Sequence, residues 1–376
     1  MTSAASTSSI IGGFVLGPGL VAWLMLATIL PPFHAAQTPP REYFVASAGS
    51  DANPGTSASR PWRSVLRANQ HTFGPGDRLL FRGGDAFDGN LVLDATDRSS
   101  RASPITIGSY GRGRATLRAG DGSAILVKNL GGITVRDLIL AGADRASNRG
   151  SGVKIVNSLP GAVRLPFVRV ENVEASRFGR EGIFVGGEAE DQSQSGYSDV
   201  RIVGCNAYDN VYYGILVTGV WDEHAKTYAN ADVVIAHCTA RDNSGDPNYL
   251  KNHSGSGILL DNVDTGRIEH CVAFNNGFLC NASAGGPVGI WAHAATNVTI
   301  QFCSSVGNRT GKGTDGGGFD FDGGVSNSVM QYNYSRGNDG AGYLLYTYRN
   351  APHTFRNNVV RYNISVDDGR KNRFGA

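Results

Sequence analysis

An all-β solenoid, a parallel β-helix of stacked coils with a short capping helix near its N-terminal end, is the fold this sequence predicts, and three observations predict it. Glycine is abundant, 51 of 376 residues, alongside plentiful aromatic and β-branched residues, a balance that suits many tight turns between short strands. Cys205, Cys238, Cys271 and Cys303 recur at intervals of 33, 33 and 32 residues in one local context. Each is followed five residues later by an asparagine: Asn210, Asn243, Asn276 and Asn308. A fixed offset inside a near-constant period marks coils that stack like side chains on one another.

Residues 1–40 read as a targeting segment and linker. Ile10 to Leu30 is apolar and uncharged, and the first charged side chain is Arg41. A signal peptide cut near Ala35-Ala36, an uncleaved membrane anchor through residues 10–30 and a mis-assigned start are the alternative readings. The expected location is secreted, periplasmic or cell-surface. Pro31-Pro32 and Pro39-Pro40 make the linker.

Residues 41–103 read as an N-terminal cap with the first strands. Tyr43 to Ala46 is a short strand, and Gly49 to Thr56 is a run of turn formers. Pro61 sits where a helix can begin, with Trp62, Val65, Leu66 and Ala68 on one face. Gly74-Pro75-Gly76-Asp77 turns into the apolar Leu79-Leu80-Phe81. This order of strand, Gly-Ser-Asp-x-Asn-Pro-Gly-Thr, Pro-Trp helix and Pro-Gly-Asp strand resembles the N-terminal cap of right-handed parallel β-helix proteins of the pectate lyase-like superfamily. The resemblance covers residues 42–376 as a scaffold, and it implies a right-handed coil and a carbohydrate ligand.

Residues 104–376 carry the repeats. The Cys or Asn of each coil and the Asn five residues on continue as Asn333 with Asn338 and Asn358 with Asn363. Asn at these turns is expected to take the left-handed conformation and to hydrogen-bond its copy one coil away. The four periodic cysteines share one column, where parallel side chains are poorly directed for bridging, so they are expected as structural thiols; Cys280 lies in a loop. Arg373 to Ala376 looks like the start of another strand, so a C-terminal continuation or a covering subunit is expected at the open solenoid end.

Each coil also carries a strand that opens with Gly and an apolar residue: Gly182-Ile183, Gly214-Ile215, Gly257-Ile258, Gly289-Ile290, Gly318-Phe319 and Gly342-Tyr343. Strand residues alternate sides, so if that apolar residue points inward, the second and fourth after Gly point outward. The second-position column reads Phe184, Leu216, Leu259, Trp291, Asp320, Leu344. The fourth reads Gly186, Thr218, Asp261, His293, Asp322, Tyr346. Acids, a histidine and a tyrosine thus cluster on four consecutive coils, where earlier coils carry small or apolar residues. A solvated face produces polar outward positions too, but this localisation favours a site.

The chemistry expected there is carbohydrate cleavage. Two carboxylates flanking a sugar suffice for glycoside hydrolysis. Asp261 and Asp322, two rungs or ~9–10 Å apart along the backbone, lean toward inversion. Asp320 with Asp322 is the alternative pair. His293 and Tyr346 complete the catalytic candidates, while Trp291, Trp221, Lys251 and Arg349 are candidates for binding substrate. A polysaccharide lyase on the same surface needs a hard cation, and Asp261, Asp320 and Asp322 are the carboxylates that would hold Ca²⁺; hydrolysis needs no cofactor. Thr314-Asp315-Gly316 is similar to the Asn-Thr-Asp-Gly segment of polygalacturonases, but Gly313 replaces the Asn and no Asp-Asp pair follows on the next coil, so no role is carried over. A non-catalytic binding rod or adhesin is the third reading. The net charge of +2, with no Lys/Arg-rich run, argues against nucleic acid as the main partner and leaves a polysaccharide or oligosaccharide.

Overall fold

A computed structural model describes residues 39–372 together with Gly13. Apart from Gly13, the apolar segment 10–30 lies outside the described residues, as do the final residues 373–376. Among the described residues no helix is long and apolar enough to cross a membrane.

Every strand pairs in parallel with its counterpart one coil away, which makes the chain a β-helix. One face is a nine-strand sheet running from Leu91–Leu93 to Tyr343–Leu345. The rest of each coil belongs to a 19-stranded sheet, joined into one by the long strands Ile133–Ala141 and Arg164–Ser176, which pair along both halves of their neighbours. Parallel stacking is already in place at the cap, where Glu42–Val45 pairs with Arg78–Arg82. The core is a continuous apolar column: Ile183, Ile215, Ile258, Ile290 and Phe319 are each 0% exposed and lie in register. Inward positions alternate with outward ones because strand side chains have a period of two.

The short helix spans Val65–Asn69, four residues later than Pro61 suggests. The Ser64 hydroxyl caps it by accepting from the Arg67 N–H at 3.0 Å, and Asp51 fixes Ser64 in turn. Trp62 is held before the helix in an extended bridge to Val45. Trp62, Val65 and Ala68 are buried as expected, whereas Leu66 is exposed.

The turn ladders exist, with two corrections. Asn210, Asn243, Asn276, Asn308 and Asn338 form a buried chain in which each amide donates to the next side-chain oxygen at 2.7–3.1 Å along the series, ending on the Asp368 carboxylate. The left-handed residue is the one before each ladder asparagine, for example Asp209, Asp242 and Asn275, not the asparagine itself. The last repeat is also shifted: Asn363 stacks on Asn333 in the cysteine column, and Asp368 takes the ladder position. Asparagine occupies both columns five residues apart, so the sequence alone fits either alignment. All five cysteines are free and buried.

Asn276 is wholly buried, with its amide on Ala240 O and Asn308 Oδ1 and its carbonyl oxygen accepting from Asn243. Asn276→Ala strands partners on both adjacent coils and is expected to remove about 3 kcal/mol of stability. Urea unfolding checks this, and an unchanged midpoint would show that the ladder contributes nothing.

Candidate active site

Strand register places the predicted columns side by side. Leu259, Trp291 and Asp320 are aligned on successive strands, as are Asp261, His293 and Asp322. Tyr346 takes the next place: its N–H donates to Phe321 O at 3.0 Å and its carbonyl accepts from Gly323 N–H at 3.1 Å. Outward-facing Phe184, Leu216, Leu259 and Trp291 are nevertheless buried, in an apolar cluster with Val156 and Val288. His253, from the loop before the Asp261 strand, packs edge-on to Trp291 at 4.8 Å. Asp320 continues this apolar column one coil further and is 3% exposed.

A cleft of about 610 Å³ lies over these columns. It holds Asp261, Trp291, His293, Asp320, Asp322 and Tyr346 together with Trp221 and Lys251. Arg349 is exposed and does not line it. Two residues that sequence reasoning did not place here also line the cleft, Asp315 and Tyr348. A second cavity of about 630 Å³ shares Asp315, Asp320, Asp322 and Tyr346. A third, about 380 Å³, shares Tyr213, Leu216 and Thr218 at the other end. Together they form a groove along the helix axis from the rung of Phe184 to that of Leu344, about 24 Å at the usual strand spacing.

Asp315 enters from a loop rather than a strand. It adopts a left-handed backbone (φ 57°), tolerated by aspartate, and Gly316 follows at φ 80°. Gly286 N–H donates to its Oδ2 at 2.7 Å. A Cβ on Gly286 would lie 2.1 Å from Thr314 O, so this close approach requires glycine.

The three carboxyls Asp315, Asp320 and Asp322 have raised proton affinities. For Asp320 burial is the main cause, followed by the charges of Asp322 and Asp315. Its Oδ1 has no hydrogen-bond partner among the described residues, and neither has the buried Trp291 Nε1 on the neighbouring strand. For Asp322 burial raises the value while His293 and the Gly323 N–H, at 2.6 Å from Oδ1, pull it down. For Asp315 burial raises it and the Gly286 N–H opposes. Asp261 is engaged at both oxygens: Oδ1 lies 2.8 Å from His293 Nδ1, and Oδ2 accepts from the Thr218 hydroxyl. With both oxygens engaged, the two-rung Asp261/Asp322 spacing no longer argues for inversion. Among the described residues no group of three or more His, Cys, Asp or Glu side chains is arranged to hold a metal ion.

The raised Asp320 makes a stability prediction with a definite sign. A carboxyl whose folded value exceeds its unfolded one stabilises fully below the unfolded value, about pH 4, and that contribution is lost as pH rises through the folded value. Asp320→Asn is therefore expected to raise Tm near neutral pH and to change it little at acidic pH. Melts in the two buffers read it, and an equal shift in both contradicts an uncompensated buried acid.

Parallel strands stacked coil on coil define the class of β-helix proteins. This chain belongs to the right-handed β-helix family, whose model matches residues 114–304. Among curated proteins it is similar to a lacto-N-biosidase of Bifidobacterium longum subsp. longum, 24% identical over 415 residues, covering 87% of this chain and 26% of that protein. Among solved structures it is similar to the GH136 lacto-N-biosidase from Eubacterium ramulus, with TM-score 0.69 and 20% identity over 87% of this chain and 60% of that one. Pectate lyase Pel9A matches at TM-score 0.47 and 16% identity, covering 89% of this chain and 77% of that chain. The chain thus spans about a quarter of the curated relative and 60% of the solved one. Family match and structural likeness agree on the fold, a right-handed parallel β-helix.

Proposed function

We propose that this β-helix carries the active site of an exported glycoside hydrolase acting on a neutral oligosaccharide, with Asp322 as the carboxylate that attacks carbon or activates water and Asp315 as the acid. The observation that carries the reading is the meeting of Asp315, Asp320 and Asp322 in one groove on the outer face of the sheet. Their environments differ in the way hydrolysis requires. Asp322 faces His293 and receives a backbone N–H, which favours its ionised form relative to Asp315, buried with one backbone N–H. Asp320, buried without a protein partner, is suited to hydrogen-bond a sugar hydroxyl together with the Trp291 indole N–H. Trp221, 57% exposed on the rim, offers a face for a sugar ring.

The ionised Asp322 carboxylate repels a uronate, which favours hydrolysis of a neutral sugar over elimination from an acidic one. The likeness to lacto-N-biosidases puts glycans containing lacto-N-biose first among candidate substrates. The test is a screen of the full chain on p-nitrophenyl lacto-N-bioside, neutral oligosaccharides and uronate polysaccharides, with and without chelator. New reducing ends from neutral glycans, indifferent to chelator, are expected. Ultraviolet-absorbing unsaturated products that chelator abolishes would establish a Ca²⁺-dependent lyase instead, and binding without turnover would leave a carbohydrate-binding rod.

A further inference from the structure

His293 is held at both ring nitrogens. Nδ1 lies 2.8 Å from Asp261 Oδ1, and Nε2 lies 2.9 Å from the Tyr348 hydroxyl. Tyr348 does not belong to the sheet. The chain leaves it after Tyr346, whose backbone still pairs with Phe321 and Gly323, and next pairs in the isolated bridge of Arg356 with Ser326, so residues 347–355 cross as a strap. The strap is anchored once more, where the His353 ring packs at a tilt against Tyr228 with centroids 4.2 Å apart. Gly323 makes room for the clamp, since a Cβ there would lie 2.5 Å from Tyr348 Cε1 and 2.6 Å from His293 Nε2. Gly323 is also the residue whose N–H holds Asp322.

We propose that Tyr348 is a positioning residue: from the strap it clamps His293 at Nε2 while Asp261 holds Nδ1, and the doubly held ring stands fixed on the rung beside Asp322. This rests on the hydrolase reading for its consequence, though not for its geometry. A carboxylate accepts only, so the Asp261 bond places a proton on Nδ1. Thr218 fixes the other oxygen of Asp261, so the chain Thr218, Asp261, His293, Tyr348 runs across three strands and the strap with each partner oriented by the next. An imidazole so oriented keeps one face of its charge distribution toward Asp322 without reorganising when substrate enters. The groups facing His293 are Asp261 and Asp322 on the flanking strands, Tyr348 and His353 on the strap, and His253 in the loop over Trp291. Burial works against the charged ring, but the Asp261 bond and the two aspartate charges outweigh it and raise its proton affinity.

The test needs no substrate in its first arm. Proton and nitrogen NMR of the full chain near pH 6, with His293 assigned by its loss in His293→Gln, is expected to show two ring N–H protons protected from exchange. Tyr348→Phe, which keeps the ring and loses the hydroxyl, is expected to leave only the Nδ1 proton protected, with circular dichroism and Tm unchanged. In the second arm, on p-nitrophenyl lacto-N-bioside or whichever glycan the wild type cleaves, Tyr348→Phe is expected to lower kcat about tenfold with KM within about twofold, the effect of one lost oriented hydrogen bond. An Nε2 proton that stays protected in Tyr348→Phe, or a kcat that does not move, overturns the proposal. A clamped ring in a protein that cleaves no glycoside would overturn the hydrolase reading and leave the clamp standing.

Discussion

Asp322→Asn is expected to lower kcat on the order of 10³-fold or more while oligosaccharide binding stays within a few-fold. The reason is geometric and electrostatic. Asp322 ends the Gly317–Asp322 strand in register with His293, is held by the Gly323 N–H, and opens to both halves of the groove. An amide of the same shape preserves the strand and the packing but can neither attack carbon nor take a proton from water. Asp322→Ala leaves space in which a small anion such as azide can act on an activated aryl glycoside. Partial rescue of that variant by azide is the expected signature of a carboxylate at the reacting carbon, read by kinetics with and without the anion. If Asp322→Asn keeps most of the wild-type rate, Asp322 is not in the machinery.

Asp315→Asn is expected to separate substrates by leaving group. A general acid contributes roughly 10²–10⁴-fold when the departing oxygen is a sugar alkoxide and little when it is a stable phenolate. Natural glycan cleavage should therefore collapse in this variant, while p-nitrophenyl glycoside cleavage persists. The pH profile adds a sign. Burial raises the Asp315 proton affinity, and an acid works only while protonated, so wild-type activity is expected to fall as pH rises through the raised value. That alkaline limb should vanish in Asp315→Asn with the aryl substrate. Equal losses on both substrates, with the limb intact, would assign the acid elsewhere, Asp320 being the nearest alternative by its shared burial with Asp322.

Much of this molecule can be read from its residues because a solenoid repeats its own rules. A period near 33 residues and a two-residue strand alternation are enough to align Asp261, His293 and Asp322 on adjacent strands, and the observed pairing has that register. The same regularity misleads where one residue type fills two columns. Asn363 matches the turn ladder and the cysteine column equally well, and only the pairing of Val329 with Val359 decides between them.

The site is less legible wherever a residue reaches it from outside the repeat. Asp315 sits in a loop, its direction set by a left-handed backbone and by contact with Gly286 nearly thirty residues away in sequence. Thr314-Asp315-Gly316 was the one local signal, and it carried no spacing that pointed inward. Tyr348 follows the Gly-Tyr strand with no motif, and its partnership with His293 depends on the path of the strap. The engagement of Asp261 by Thr218 is legible in hindsight, since both occupy the fourth-position column on neighbouring coils. A column identifies neighbours, but only side-chain direction tells a reacting carboxylate from one that orients another group.

The central claim is that water is added across a glycosidic bond at the carboxylates of this groove. Product analysis in heavy-oxygen water tests it most directly, by mass spectrometry on a neutral oligosaccharide cleaved by the wild type and challenged with Asp322→Asn. The account predicts one heavy oxygen in each new reducing end, and no product from the variant. Products lacking the elements of water and carrying no heavy oxygen, or equal turnover by the variant, would contradict it.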